Sequence, residues 1–170
     1  MIDDLIEDQR VQRFWDAYAV SARVGVETFA VVRFGDSADL ADELATQVEV
    51  GEKRATTTLL RDFTKLDKPL PKPGDLSVVI DGKNAPRCIV QTLQVDVKAL
   101  RDVDESFAWD EGGGDRSLEW WRSAHARYFK RQGAREGFAV DDCAELVLER
   151  FEVVWPLSFQ TEPRPAISYS

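Results

Sequence analysis

The sequence is poor in the residues that bind transition metals. It contains one histidine, His125, and two cysteines, Cys88 and Cys143, which are far apart in the chain. One histidine without a Cys-x-x-Cys pair cannot build a zinc site from nitrogen and sulfur ligands alone. Scarce cysteine also excludes a disulfide-rich secreted scaffold and favours a reducing cytoplasmic compartment, where both thiols are small core residues.

Long apolar runs and an excess of basic residues are also absent. No stretch approaches the ~20 apolar residues that span a bilayer, and the acidic start MIDDLIEDQR is unlike a signal peptide. We therefore expect a cytoplasmic protein with no membrane partner. The formal net charge of −9 argues against a protein that coats DNA or another polyanion. The sequence does not indicate an oligomeric state.

The charges that are present are unevenly distributed. Residues 53–101 carry ten Lys or Arg against five Asp, and residues 116–135 carry six Lys or Arg against one Glu, so each segment has a net charge of +5. Two cationic segments on an acidic chain favour a local cleft that attracts anions. The alternative is that both are solvated faces balanced in space by acidic neighbours.

A chain of 170 residues with 44% hydrophobic residues is expected to form one core. Apolar periodicity predicts an N-terminal packing helix within residues 1–24 and a second helix over 38–50 that Ser37 caps. It predicts a third helix that either Asp115 or Ser117 caps and that ends at Gly133. Turn residues 82–84 join two apolar strands into an antiparallel hairpin. Further strands are predicted at residues 29–34 and 145–155, and residues 159–170 have the composition of a flexible tail.

The segment GEKRATTT, residues 51–58, lies where helical periodicity changes to a β-branched pattern. Gly51 suits the end of the preceding helix, and Lys53, Arg54 and three threonines follow it. Such helix-to-strand junctions expose groups from which sites are built. The alternative is that the two cations only complement the helix dipole and that the threonines are strand formers.

Three blocks of sequence resemble the ASCH family, whose fold is similar to the RNA-binding PUA domain. They are Gly51-x-Lys53-x-x-Thr56 after a helix, Pro73-Gly74-Asp75 before a strand, and EGGGDRSLEWWRSAHARYF at residues 111–129, which is similar to a bacterial branch with an enlarged helical insertion. The resemblance extends over about residues 25–155, and the predicted domain is residues 25–158. It implies an α+β fold with a small PUA-like antiparallel β-barrel flanked by helices.

The resemblance also implies a cleft beside the Lys53 loop, with RNA or a modified nucleoside as the ligand. Some members of the family are linked to hydrolysis of the amide of acetylated cytidine or to RNA cleavage, and others only bind. The implied catalytic residues are Lys53, Thr56 and Glu111, with Glu105 as an alternative to Glu111. A Lys and Thr pair suits this chemistry because a threonine hydroxyl needs a nearby base to become a nucleophile.

Aromatic and polar residues around these positions are the predicted substrate contacts. Trp120 faces away from the apolar stripe of its helix and can stack on a base, whereas Trp121 lies on the stripe and is expected in the core. His125 is either a general base or a buried hydrogen-bonded residue. The complete set of predicted substrate-binding residues is Arg54, Thr57, Trp120, His125 and Tyr128.

The acidic segment before this helix raises the question of a metal. Its carboxylates could hold Mg²⁺ or Mn²⁺, or they could form a solvated loop; they are Asp102, Asp104, Glu105, Asp110, Glu111 and Asp115. No cofactor is required by the predicted chemistry. The glycines at 112–114 are predicted to form a mobile lid over the cleft. Two functions follow: a hydrolase, or a PUA-like module that binds RNA or a nucleotide without chemistry.

Overall fold

A computed structural model describes residues 2–25 and 28–157 of the chain. The helices are α1 (Gln9–Ala22), α2 (Ala38–Glu49), α3 (Leu60–Lys65), α4 (Glu105–Glu111) and α5 (Leu118–Glu136), with 3₁₀ turns at Ile2–Glu7 and Leu100–Asp102. The strands are β1 (Ala30–Val32), β2 (Ala55–Leu59), β3 (Leu76–Ile80), β4 (Pro86–Ala99) and β5 (Glu145–Trp155). The predicted tail, residues 159–170, lies outside the described residues.

The five strands form one sheet in the order β1-β3-β4-β5-β2 that curls into a half-barrel. The long strands β4 and β5 pair along most of their lengths, with register shifts between Ile89 and Val90 and between Thr92 and Gln94. Such irregularities bend a strand and increase its twist. The α+β fold and its PUA-like architecture, as predicted, are therefore confirmed.

One strand pair differs from the antiparallel prediction, because β1 runs parallel to β3. Parallel neighbours need a long crossover connection, and the segment with α2, β2 and α3 supplies it between β1 and β3. The pairs β3·β4, β4·β5 and β2·β5 are antiparallel. The sheet is mixed.

Helices pack on both faces of the half-barrel. On one face, α1 buries Val11, Trp15 and Tyr18 against β1, β3 and β4. On the opposite face, called here the inner face, α2 packs Ala45 and Val48 against the sheet. The helices α4 and α5 cover β2 and β5 at one edge, where the buried core residues are Ala55, Leu59, Val103, Phe107, Ala108, Trp121, Phe129, Leu146 and Leu148.

The helical insertion differs from the sequence prediction at both ends. The acidic segment expected as a loop contains α4, which Asp104 caps by accepting a hydrogen bond from the Phe107 backbone N–H. At the other end α5 continues through Gly133 and stops at Gly137, whose φ is 77°. Gly133 is instead a packing position, since a Cβ there would lie 2.2 Å from the Phe138 carbonyl oxygen. No helix in the described ranges is long and apolar enough to cross a membrane.

Candidate active site

The junction between α2 and β2 directs the Lys53 side chain into the protein. Gly51 takes a left-handed φ of 78°, and the backbone N–H groups of Glu52 and Lys53 both donate to the Gln47 carbonyl, which turns the chain sharply. Only 4% of Lys53 is exposed. Its amine donates to the Ala55 carbonyl at 2.8 Å. The turn thus brings a basic side chain into the interior.

The Glu111 carboxylate, at the end of α4, is the acceptor for four surrounding groups. Its Oε2 accepts hydrogen bonds from the Thr57 hydroxyl at 2.7 Å and from the Trp121 indole N–H at 2.6 Å. Its Oε1 lies 3.2 Å from His125 Nε2 and 3.5 Å from Lys53 Nζ. Elements distant in sequence therefore converge on one carboxylate.

Burial and charge act in opposite directions on this cluster. Burial alone would raise the pKa of Glu111, but the charges of His125 and Lys53 and the hydrogen bonds from His125 and Trp121 outweigh it and hold that pKa well below its usual range. Burial lowers the pKa of the Lys53 amine, and Glu111 offsets part of that effect. Glu111 is therefore an ionised carboxylate at neutral pH, and the Lys53 amine loses its proton more readily than an exposed lysine.

His125 bridges the carboxylate and the backbone of α5. Its Nδ1 lies 2.9 Å from the Trp121 carbonyl oxygen, and its Nε2 faces Glu111. Both neighbours are acceptors, so a ring nitrogen that carries a proton can donate to the neighbour it faces. The ring also stacks on Trp121, with centroids 4.1 Å apart. Trp121 is a core residue, as predicted, and its indole also orients the site.

These groups open onto a cavity of about 290 Å³, called here the lysine cavity. Seven of the eight predicted site residues line it: Lys53, Thr56, Thr57, Glu111, Trp120, His125 and Tyr128. The eighth, Arg54, does not, because its guanidinium turns back to donate to the Gly51 carbonyl at 2.6 Å. The sequence prediction therefore named the wall of one cavity.

Adjacent threonines of β2 face opposite sides of the sheet, because side chains alternate along a strand. Thr57 lies on the face that α4 and α5 cover, and its hydroxyl donates a hydrogen bond to Glu111. Thr56 lines the lysine cavity, and within the described part of the chain its hydroxyl makes no hydrogen bond. The threonine predicted to act thus has a hydroxyl available to a ligand, while its neighbour holds the carboxylate.

Trp120 and the glycine segment form a further wall. The Trp120 indole packs so closely on Gly113 and Gly114 that a Cβ at Gly114 would lie 2.2 Å from the ring. Gly112 and Gly113 line the cavity, and Arg116 ties the segment to the junction by donating to the Glu52 carbonyl at 3.0 Å. The segment lies beside the cleft, and its mobility stays a prediction.

Sequence reasoning missed several residues of this cavity. Phe34 places its ring 5.2 Å from Lys53 Nζ, and Arg127 and Arg131 line the wall from α5. The arginines lie within the cationic segment 116–135. Arg131 is three residues after Tyr128, and Arg127 is seven residues, two helical turns, after Trp120, so the helical period relates both to predicted contacts. Phe34 had no such signal, since it follows a three-residue strand.

The acidic segment does not converge on a metal. Its residues have separate roles: Asp104 caps α4, Asp110 pairs with Arg150 at 2.7 Å, and Glu111 enters the cationic cluster. Within residues 2–25 and 28–157, no group of three or more His, Cys, Asp or Glu side chains is arranged to hold an ion. The carboxylates here stabilise helices and pair with cations.

Comparisons with known proteins identify the family. The family model for the ASCH domain matches residues 30–155. The crystal structure of an ASCH domain from Lactobacillus crispatus JV V101 is similar, with 33% identity, a TM-score of 0.79, and coverage of 86% of this chain and 94% of that one. Protein EF3133 from Enterococcus faecalis V583 has 31% identity and a TM-score of 0.80, over 86% and 88% of the two chains. No curated protein matches. Because the family model covers most of the chain, the chain belongs to the ASCH domain family.

Proposed function

We propose that this ASCH protein hydrolyses an amide on a modified nucleoside, of the acetylcytidine type, in the lysine cavity. The observation that carries the proposal is the position of Lys53. A buried amine with a lowered pKa faces an ionised carboxylate at the wall of a cavity that also presents the Thr56 hydroxyl. Perturbed titratable groups that converge in a concave site favour catalysis.

In the proposed first step, the Thr56 oxygen attacks the amide carbonyl carbon and the Lys53 amine takes the hydroxyl proton. The tetrahedral intermediate then collapses, the C–N bond breaks, and the departing nitrogen takes the proton that Lys53 received. Water next attacks the threonyl ester and gives one proton to the Lys53 amine. Collapse of this intermediate breaks the ester bond, the Lys53 proton returns to the Thr56 oxygen, and the carboxylic acid is released. These groups line the lysine cavity.

Glu111 has a different role from that of a proton donor. A carboxyl group whose pKa is held well below its usual range carries no proton to give at neutral pH. Its contacts with Lys53, Thr57, Trp121 and His125 instead suit it to orient the base and the His125 ring. The proposal therefore assigns the leaving-group proton to Lys53 and the electrostatic support to Glu111.

The shape of the cavity favours a small ligand. At about 290 Å³, it is near the lower end of the ~300 to 1,000 Å³ typical of small-molecule sites. Trp120 and Tyr128 offer rings for stacking on a base, and Arg127 and Arg131 offer positive charge to an attached phosphate. These features support a nucleoside or nucleotide unit as the ligand.

The second candidate is a binding module without chemistry. It is favoured by the Lys53 contacts, because an amine already bound to the Ala55 carbonyl and facing Glu111 is also a stable arrangement for a structural cation. Such a module would bind the same nucleotide through the rings and arginines. RNA phosphodiester cleavage is a third outcome that the same assay would reveal.

The test incubates the purified protein with N4-acetylcytidine and, separately, with short single-stranded RNA, and it follows the products by chromatography. We expect cytidine and acetate from the first and intact RNA from the second. Mass spectrometry of the acid-quenched enzyme is expected to find one acetyl group on Thr56. Thr56→Val should abolish both signals, and Thr64→Val, a threonine outside the lysine cavity, should leave both unchanged.

Each contrary result has a defined meaning. Binding without turnover of either substrate would replace the hydrolase with the binding module. Cleavage of RNA alone would keep the site and change the reaction. Full activity of Thr56→Val would show that water, rather than this hydroxyl, attacks the carbonyl.

A further inference from the structure

The inner face of the half-barrel has an apolar part and a polar part. Where α2 covers the sheet, Val79, Val90 and Phe151 pack with Phe34. Beyond Phe34 the same face lines a second cavity of about 660 Å³, called here the inner cavity. Its polar wall on the strands comprises Thr56, Thr58, Ser77, Thr92 and Glu149. Glu149 is the unusual residue of this wall, because the neighbouring β5 residues on the same face are apolar.

Glu149 is held by a buried partner. Thr92 is 3% exposed and donates its hydroxyl to Glu149 Oε1 at 2.6 Å. Within the described ranges, Glu149 Oε2 has no hydrogen-bond partner, although the residue lines the cavity. Thr56 stands directly opposite Glu149 in the strand register, so its side chain shares this face. The hydrogen bond from Thr92 thus fixes the Glu149 carboxyl group at the wall of the cavity.

The inner cavity adjoins the lysine cavity. The two cavities share five lining residues and meet there: Phe34, Gly35, Thr56, Thr57 and Tyr128. The nucleophile of the proposed reaction lies on this shared wall. A ligand that reacts at Thr56 and extends past Tyr128 would enter the inner cavity, which is the larger of the two.

The carboxyl groups of the inner cavity, Glu149 and Asp75, disfavour a phosphate beside them. Burial, followed by the neighbouring Asp75 charge, raises the pKa of Glu149 despite the hydrogen bond from Thr92. A carboxyl group that keeps its proton offers a donor and an acceptor, and an ionised one offers acceptors; in either form it can pair with the edge of a base or an amide, which carries both kinds of group. The cations of this cavity, Arg33 and Lys68, are exposed, so a phosphate is better placed at the opening.

We propose that the inner cavity is a second subsite that binds an uncharged planar group, a neighbouring nucleobase, through Glu149 and Thr92. This inference rests on the proposed function and refines its substrate class. The substrate is then an oligonucleotide that carries the modified nucleoside next to at least one further base. The modified base occupies the lysine cavity, the neighbouring base occupies the inner cavity, and the connecting phosphate lies towards the exposed cations.

The test compares two probes on the same protein by isothermal calorimetry. One is N4-acetylcytidine, and the other is a dinucleotide that carries N4-acetylcytidine beside an unmodified cytidine. We expect the wild-type protein to bind the dinucleotide at least tenfold more tightly. Glu149→Leu should remove about tenfold of that gain by deleting the donor and acceptor, while changing the affinity for N4-acetylcytidine by less than about twofold.

Two further variants separate recognition from folding. Glu149→Gln keeps a donor and an acceptor in the same shape, so it is expected to retain most of the dinucleotide affinity. Glu152→Gln changes an exposed glutamate of the same strand, three residues away, and should bind both probes like the wild type. A parallel hydrolysis assay with N4-acetylcytidine reports on the first cavity independently.

The outcomes distinguish this proposal from the proposed function. Equal affinities of the two probes for the wild type, with N4-acetylcytidine hydrolysed, would overturn the second subsite and leave the hydrolase standing. Dinucleotide binding that depends on Glu149, with no hydrolysis, would support the subsite and overturn the hydrolase. If Glu149→Leu binds the dinucleotide as tightly as the wild type, or if neither probe binds, the subsite is overturned.

Discussion

Glu111 and Glu149 are two shielded glutamates beside neighbouring cavities, and their pKa values shift in opposite directions. Burial would raise the pKa of both, but at Glu111 the charges of His125 and Lys53 reverse that effect. At Glu149 burial prevails and the neighbouring Asp75 charge adds to it. The comparison shows that protonation in this protein is decided by which neighbours the fold supplies. When the surroundings shift the pKa values of two such groups in opposite directions, the groups are suited to different chemical roles.

The difference has a simple structural origin. Glu111 lies among cations and donors that come from the helical insertion and the α2–β2 junction. Glu149 lies among strand residues, where Thr92 is its hydrogen-bonding neighbour. We therefore propose charged intermediates for the lysine cavity and an uncharged polar group for the inner cavity.

Removal of Lys53 is expected to have the largest effect. Lys53→Met keeps much of the side-chain volume but deletes the base, so kcat for N4-acetylcytidine should fall by ~10² or more. Steady-state kinetics measure the change, with circular dichroism as the check on folding. Lys130→Met, which alters an exposed lysine of α5, is the control. Unchanged kcat in Lys53→Met would rule out lysine as the base.

Neutralising Glu111 is expected to have the next largest effect, which is a loss of unfolding free energy. Glu111→Gln leaves Lys53 buried without its carboxylate, and breaking a buried pair in this way costs about 3 to 5 kcal/mol of unfolding free energy. Urea denaturation measures it. Glu105→Gln, in the same helix but exposed, should cost far less. Equal losses in the two variants would mean that Glu111 contributes nothing through its contacts.

Loss of the Trp120 ring should weaken binding more than chemistry. Stacking on a base is worth ~1 to 3 kcal/mol, so Trp120→Ala should raise KM by about five- to 150-fold with little change in kcat. Gly114→Ala is a second way to disturb the ring, because the new Cβ would collide with it. A KM equal to that of the wild type in both variants would exclude a stacking role.

The smallest effect concerns the pH dependence of stability at Glu149. Its raised pKa means that its stabilising contribution is fully present below the unfolded pKa of ~4.3 and is lost as pH rises through the folded pKa. Glu149→Gln is neutral throughout, so its stability relative to wild type should increase between pH 4 and pH 8. Urea denaturation at both values measures the difference. A constant difference would show that the carboxyl group is not protonated in the fold.

Glu111 is the opposite case. Its lowered pKa contributes stability above the unfolded pKa of ~4.3, and that contribution is lost as pH falls through the folded pKa. When the urea denaturation is extended to lower pH, wild type should therefore lose stability relative to Glu111→Gln below about pH 4. Opposite slopes for the two variants are the signature of the contrast between the two carboxyl groups.

The sequence by itself determined most elements and the wall of the lysine cavity. Periodicity indicated α2, β5 and the hairpin of β3 and β4, because alternating and helical burial leave different spacings of apolar residues. The glycine-ended junction identified Lys53, since a helix that stops before a strand must turn there. The resemblance to the ASCH family added Thr56 and Glu111, and all three residues line one cavity.

Only the tertiary structure decided how these residues are used. The pattern TTT places neighbouring threonines on opposite faces, but the packing of α4 on β2 selected Thr57 to hold Glu111 and left Thr56 to the cavity. Arg54 and Lys53 are adjacent in the chain, and the turn at Gly51 sent one inward and the other back to the backbone. The protonation of Glu111 and Glu149 likewise depends on partners from distant segments, because electrostatic energies follow distance in space rather than separation in sequence.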